Sequence, residues 1–193
     1  MGTKSDTDGN RNLIRKDGPH WSQHLMKAVT DPKKIVLEDE LTTVIKDLYP
    51  KATYHYLVCP KEHIPTLKSV EMKHLDLLKH MHKVGQKISR QHKDKNFLLG
   101  YHAIPSMLLL HLHVISDDFD SPYLKTKKHW NSFTTNYFIS SEKLIQQFEE
   151  KGVMSVRSLS EYKNCIQQNL ACHKCEYKPN NMPDLKTHLK IHL

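Results

Sequence analysis

The nine residues from Leu108 to Ser116 constrain the fold of this chain more strongly than any other stretch of its sequence. Six of them are aliphatic and none is glycine, proline or charged, so the stretch predicts a buried β-strand. Because side chains alternate along a strand, His111 and His113 would share one face, about 7 Å apart. Buried imidazoles need hydrogen-bond partners, which makes them poor core residues. They suit a site that holds a polyanion, and one of them could attack it.

Hydrophobic periodicity elsewhere predicts a domain that mixes strands with helices. The longest helical pattern has apolar residues at three- and four-residue steps, as on the buried side of an amphipathic helix. Short β-branched and aromatic runs indicate strands. The predicted strands are Lys34–Glu38, Thr42–Lys46, Thr53–Pro60, Phe97–Ile104 and a short one at Val153–Arg157; the predicted helices are His20–Lys27, Ser69–His92 and Ser140–Gly152.

Composition and charge narrow the class of partner. The chain has 193 residues, a net charge of +8 and 15 histidines. A basic protein favours an anionic partner, of which nucleic acid is the commonest.

No apolar segment resembles a signal peptide or approaches membrane-spanning length, so we expect a soluble intracellular protein with no membrane partner. The four cysteines are then not expected to form disulfides. Residues 1–18 predict a disordered basic tail.

The last 22 residues contain a pattern that is typical of a zinc site. Cys172 and Cys175 are separated by two residues, and His188 and His192 follow at a spacing that places both on one side of a helix. Four protein ligands complete a tetrahedron around Zn²⁺ and leave no position for water. The sequence therefore predicts one structural zinc per chain.

The surroundings of these ligands predict a small zinc finger. Pro183 is suited to the first turn of its helix, with Asn181 or Asn180 as the N-cap. The aromatic residue usual between the cysteines and the helix is not obvious, and Tyr177 and Met182 are the nearest candidates. A single finger reads at most about three base pairs. We therefore expect it to grip the nucleic-acid backbone without sequence specificity.

Two further features have both a structural and a functional interpretation. Trp21 could close the hydrophobic core, or it could be an exposed ring on which a base stacks. Lys125, Lys127 and Lys128 could form an ordinary solvated surface. Because these lysines follow the two-histidine strand closely, phosphate contacts are the alternative.

Several motifs together resemble the histidine-triad (HIT) superfamily of nucleotide hydrolases and transferases. The resemblance rests on His111-Leu112-His113-Val114, preceded by a separate strand with Gly100-Tyr101-His102. It is strongest to the branch of DNA adenylate hydrolases that end in a zinc finger, and it covers about residues 19 to 193. The segments that carry this closer likeness are His20–Gln23, Gly100–Met107, His111–Pro122, Lys127–Phe133 and the zinc-ligand pattern.

The resemblance implies a fold, a domain division and an activity. The fold is α+β, an antiparallel HIT-like sheet with flanking helices plus a Cys2His2 finger, divided as tail 1–18, catalytic domain 19–160 and zinc finger 161–193. The activity is DNA repair in the nucleus: removal of AMP from 5′-adenylated ends left by abortive ligation. The partners would be adenylated nicks or ends of single- or double-stranded DNA, RNA–DNA junctions and the AMP product. Vertebrate members also carry a forkhead-associated domain, which we expect this chain to lack.

The resemblance also implies roles for individual residues. His111 matches the middle histidine of the triad and would attack the adenylate phosphorus to form a nucleotidyl-histidine. His113 and His102 would bind the phosphate and assist the leaving group, and Ser106 would add a hydrogen bond. No catalytic metal is implied. His55 would support the nucleophile, and Lys51 would lie behind the residues that touch the substrate. Trp21 falls on the helix that wedges against the DNA end.

One position departs from the family pattern. The first histidine of the triad would fall at Leu109. Either the position tolerates leucine because the middle histidine attacks, or the enzyme is impaired. Two other functions therefore stay open: a HIT hydrolase of small dinucleotides or nucleoside phosphoramidates, and a non-catalytic nucleic-acid-binding protein.

Overall fold

The structure, a computed structural model, describes residues 25–193 with the exception of residue 156. Its centre is a six-stranded antiparallel sheet, which confirms the predicted α+β class. The spatial order of the strands is β1-β2-β3-β5-β4-β6. The strands are β1 (Ile35–Glu38), β2 (Thr42–Lys46), β3 (His55–Pro60), β4 (Phe97–His102), β5 (Leu112–Ser116) and β6 (Phe138–Ser140).

One face of the sheet is covered by the longest helix. Its apolar stripe, which includes Leu78, Met81 and Ile88, packs on β3 and β5 in the largest hydrophobic cluster. Gly85 brings helix and sheet together, since a Cβ there would lie 3.0 Å from side chains of both β4 and β5. The helices are α1 (Leu75–Ser89), α2 (Lys127–Thr134), α3 (Ser141–Lys151), α4 (Leu159–Gln167) and α5 (Met182–Leu189).

The opposite face of the sheet carries a second hydrophobic cluster, to which the C-terminal segment contributes. Ile115 of β5 and Trp130 of α2 pack in it together with Leu185 and Leu189 of α5. The N–H of the Trp130 indole donates to the carbonyl of Ala171, 3.0 Å away. The zinc-finger segment therefore shares its core with the sheet domain.

The strand that the sequence predicts at Leu108–Ser116 is shorter in the structure. It begins at Leu112, because Leu109 has a left-handed backbone conformation, with φ of 89°, that interrupts extended pairing. The N–H groups of Leu109 and Leu110 donate instead to the carbonyls of Pro65 and Ile64. His111 therefore precedes the strand, and His113 lies within it.

Other predicted elements are confirmed with changed limits. The hairpin of β1 and β2 is present, and α3 ends at Gly152 in the left-handed conformation typical of a helix C-cap. The predicted helix Ser69–His92 begins only at Leu75, after two short 3-10 turns. The described residues of 153–157 form no strand, so that prediction is wrong.

Three elements of the structure were not predicted from the sequence, and one predicted helix lies partly outside the described residues. Helices α2 and α4 have only 8 and 9 residues and strand β6 only 3, which is too short for a periodic pattern to predict them, and they pack through contacts with distant residues. Residues 25–28 are helical, but the rest of the predicted first helix, with Trp21, lies outside the described residues. No helix among the described residues is long and apolar enough to cross a membrane.

Candidate active site and zinc centre

Four imidazoles meet on the sheet face that carries the second hydrophobic cluster. His55 begins β3, His102 ends β4, and His113 lies in β5 beside them. The ring centre of His113 is 4.4 Å from that of His102, 4.8 Å from that of His111 and 5.2 Å from that of His55. The tertiary structure thus brings together the four histidines to which the resemblance to the HIT superfamily gives catalytic roles.

Hydrogen bonds fix the proton on three of these rings. Nδ1 of His111 donates to the carbonyl of Leu109 at 2.8 Å, so its Nε2 keeps the lone pair of a nucleophile. The N–H of Lys51 donates to Nδ1 of His55 at 3.2 Å, so Nε2–H of His55 donates to Nδ1 of His113 at 2.9 Å. Nε2 of His113 must then carry a hydrogen. It is buried and has no hydrogen-bond partner among the described residues, as is also true of Nε2 of His102.

Burial keeps the four imidazoles uncharged at neutral pH. It lowers the pKa of His55 to about 4 and the pKa of His111 below its ordinary 6.5. The pKa values of His102 and His113 fall well below 6.5, first through burial and then through the neighbouring histidines. A neutral imidazole with a free lone pair is a competent nucleophile.

The loop before β3 places one acid and one base near the cluster. A carboxylate oxygen of Asp47 lies 3.7 Å from Nδ1 of His55, beyond hydrogen-bond distance. The Lys51 ammonium donates to the carbonyl of Tyr49, and burial lowers its pKa. The field of Lys51 lowers the pKa of His102 and His113, so its positive charge acts at the site where an anion would bind.

Leu109, where the family pattern would have a histidine, contributes through its backbone. Its side chain is buried among Leu25, Ile45, Leu57 and Cys59. The carbonyl that orients His111 does not depend on which side chain the residue carries. Leucine is therefore compatible with the hydrogen bond that sets the tautomer of His111.

An aromatic wall of the site was not expected from the sequence. The ring centre of Phe133 in α2 is 4.6 Å from that of His102, 5.3 Å from that of His113 and 5.5 Å from that of His55. Phe138 of β6 lies 6.1 Å from His102. No periodic signal marks these residues, because their elements have only 8 and 3 residues.

Where the structure describes the remaining predicted site residues, it shows no direct contact between them and the imidazoles. Ser106 is exposed in the segment between β4 and β5, and no described contact joins it to the imidazoles. Lys125 and Lys128 are exposed, and both lower the pKa of His129, as does Lys51. Lys127 donates from its ammonium to the carbonyl of Gln167, 3.1 Å away. Trp21 lies outside the described residues.

The four predicted metal ligands converge. Nε2 of His192 lies 3.5 Å from Sγ of Cys172, 3.6 Å from Sγ of Cys175 and 3.2 Å from Nε2 of His188. Zn–S bonds of about 2.3 Å and Zn–N bonds of about 2.0–2.1 Å in a tetrahedron require separations of this size. The residues therefore fit a zinc ion. With four protein ligands it is a structural zinc site, without an open position.

The finger helix begins as predicted and ends sooner. The side chain of Asn181 caps α5 by accepting from the N–H of Asp184, and Pro183 lies in the first turn. His188 is in α5, but His192 lies in a 3-10 turn after it, so the two ligands do not share one regular helix. Tyr177 stacks on His188 at 4.1 Å instead of entering the core.

The fold and the imidazole cluster define the class: a HIT-type domain joined to a zinc finger. The family model described as "Scavenger mRNA decapping enzyme C-term binding" matches residues 20–129. A second model, "C2HE / C2H2 / C2HC zinc-binding finger", matches residues 134–193. The chain belongs to the first of these families, and its curated relatives include aprataxins.

The aprataxin of Gallus gallus is 54% identical over 176 residues, which cover 90% of this chain and 55% of that protein. The aprataxin of Danio rerio is 49% identical over 177 residues, covering 90% and 54%. The chain thus spans about half the length of the curated relatives it matches. The fold is shared with the crystal structure of the aprataxin ortholog Hnt3 in complex with DNA, with a TM-score of 0.69, 24% identity and coverage of 83% of this chain and 86% of that one. These matches confirm the likeness to zinc-finger members of the HIT superfamily that the sequence motifs predict.

Proposed function

We propose that the chain hydrolyses 5′-adenylated DNA ends and releases AMP through a covalent intermediate on His111. The observation that carries the proposal is the hydrogen bond from Nδ1 of His111 to the carbonyl of Leu109, which leaves a lone pair on Nε2 of His111, next to the buried ring of His113. The aprataxin relatives and the DNA in the Hnt3 structure support the choice of substrate.

In the first step, Nε2 of His111 attacks the phosphorus of the adenylate. A P–N bond forms, and the anhydride P–O bond to the 5′-phosphate of the DNA breaks. The bridging oxygen leaves as part of an intact 5′-phosphate. His113, whose Nε2–H is held ready by the bond from His55, donates to the oxygen on which negative charge develops, and His102 lies beside it.

In the second step, water attacks the same phosphorus. The P–N bond breaks, AMP leaves with the oxygen of the water, and Nε2 of His111 regains its lone pair. The proton released by the water goes to solvent or to the phosphate of the departing AMP. Splitting one difficult displacement into two is the advantage of a nucleophilic residue over direct attack by water.

Other residues act on the substrate from the surface of the site. Ser106 would bond a phosphate oxygen, and Lys51 would supply positive charge. Lys125, Lys127 and Lys128 would bind the DNA backbone, with Trp21 at the DNA end. The substrates would be nicks, ends and RNA–DNA junctions in the nucleus. One zinc per chain would stabilise the finger, in a chain divided as tail 1–18, catalytic domain 19–160 and finger 161–193.

The test is release of AMP from 5′-adenylated nicked DNA. We expect turnover by the wild-type chain and none by His111→Ala, with His74→Ala as the control because His74 is equally buried but lies outside the cluster. Undiminished AMP release by His111→Ala would refute the proposal. Faster turnover of diadenosine polyphosphate than of adenylated DNA would favour a small-dinucleotide hydrolase. DNA binding without any covalent AMP adduct would indicate a non-catalytic binder.

A further inference from the structure

The ring of Phe133 contacts three of the four imidazoles from the side opposite to the sheet. It meets His55 at an interplanar angle of 85° and His113 at 88°, both edge-to-face, and it lies tilted on His102. Only 5% of Phe133 is exposed. The two rings joined by the 2.9 Å hydrogen bond, His55 and His113, therefore share one phenylalanine neighbour.

The helix that carries Phe133 is held from its other side. The amide of Asn131 donates to the carbonyls of Gln168 at 2.7 Å and Ile166 at 3.0 Å, at the end of α4. The indole of Trp130 donates to Ala171, one residue before the first zinc ligand. The position of the phenyl ring is therefore fixed by the segment that leads into the zinc finger.

The charged groups around the imidazoles come from other elements. The Asp47 carboxylate favours the protonated forms of His55 and His111, whereas the Lys51 ammonium disfavours those of His55, His102 and His113. Both lie in the loop before β3. What α2 presents to the imidazoles is the apolar ring, which displaces water that would solvate a protonated imidazole.

We propose that Phe133 is a positioning residue for the transfer reaction: its ring excludes water from His102 and His113 and keeps the His55–His113 hydrogen bond in place. The inference rests on the proposed function for its catalytic consequence. The effect on the imidazoles themselves can be measured without any substrate. Phe133 would thereby link the zinc finger to the reaction, because α2 contacts both the imidazoles and the segment that leads into the finger.

The test compares Phe133→Leu with Phe148→Leu. Phe148 is 1% exposed and packs in the cluster on the other face of the sheet, so it controls for loss of a buried ring. In Phe133→Leu we expect NMR titration of the free protein to show higher pKa values for His102 and His113. At neutral pH, kcat for AMP release should fall by about tenfold, with KM little changed, because the Nε2–H of His113 is no longer held in one position.

Both readouts unchanged in a folded Phe133→Leu, or shifted equally in Phe148→Leu, would overturn the proposal. If Phe133→Leu does not fold, Phe133→Met, whose unbranched and flexible side chain adapts to the space left by the ring, takes its place under the same criteria. A wild-type chain that releases no AMP would refute the proposed function alone. The imidazole titrations would still decide whether Phe133 positions the cluster.

Discussion

Nε2 of His55 lies 2.9 Å from Nδ1 of His113, and the N–H of Lys51 donates to the other ring nitrogen of His55. The backbone of one loop therefore determines which nitrogen of His113 carries the proton. A residue outside the strand pair thus sets the tautomer of a residue at the centre of the imidazole cluster.

His55→Ala removes the donor to Nδ1 of His113. We expect kcat for AMP release to fall by about 100-fold, because His113 is no longer held with its hydrogen on Nε2. ¹⁵N NMR of the ring nitrogens would report the tautomer directly. His74→Ala, which removes an equally buried ring elsewhere, should lower stability without a comparable loss of kcat. Wild-type kcat in His55→Ala would contradict this role.

Leu109→His would restore the histidine of the family pattern. Its side chain would enter an apolar cluster, so we expect the free energy of unfolding to fall by about 1–3 kcal/mol. We expect no increase in kcat, because the carbonyl already orients His111. Denaturant unfolding and turnover measurements check both, with Leu109→Met as the packing control. A tenfold gain in kcat would show that the missing imidazole matters.

Stability should depend on pH through the buried histidines. The pKa of His55 is about 4 in the folded chain and 6.5 when unfolded, so between these values only the unfolded chain binds the proton. The free energy of unfolding should therefore decrease as pH falls from about 6.5 to about 4, by about 1.4 kcal/mol per pH unit for this residue. Denaturant titrations of the wild type and His55→Gln would measure the slope. An equal slope in both would exclude His55 as a source.

Removal of zinc should loosen the shared core. Cys175→Ser or chelation would release the finger residues that pack on Trp130, whose side chain is fully buried. In a Trp21→Phe background we expect a red-shifted indole emission and a melting temperature lower by about 10 °C. Cys165→Ala, a buried thiol outside the metal site, should retain zinc and native emission. Unchanged emission after zinc loss would mean that the finger does not support α2.

The exposed lysines should govern the salt dependence of DNA binding. Replacing Lys125 or Lys128 with Gln should reduce the slope of log K against log salt by about 0.9 for each DNA phosphate that is no longer neutralised. Lys79→Gln is the control, because Lys79 is paired with Glu149 at 2.7 Å on a different helix. Fluorescence anisotropy at several salt concentrations gives the slopes. Equal slopes for all three variants would place the DNA elsewhere.

Several features of the fold and site were predictable from the sequence because their causes are local. The two-cysteine, two-histidine spacing identified the metal ligands, the period of apolar residues located α1, and short β-branched runs located β1 and β2. His111 and His113 stood out as polar residues in an apolar run. The predicted ends of the elements were less accurate. The strand predicted from Leu108 begins only at Leu112, because Leu109 takes a left-handed conformation that no propensity of leucine indicates.

By itself the sequence determined an antiparallel α+β domain, a structural zinc site and the histidines that could act on phosphate. Only the tertiary structure decided how those histidines are protonated and what surrounds them. His55 and His113 are 58 residues apart, and their hydrogen bond exists because β3 pairs with β5. Phe133 reaches them because α2 is anchored to the finger segment. Tautomers and burial depend on neighbours distant in the chain, and a local pattern contains no information about which neighbours those are.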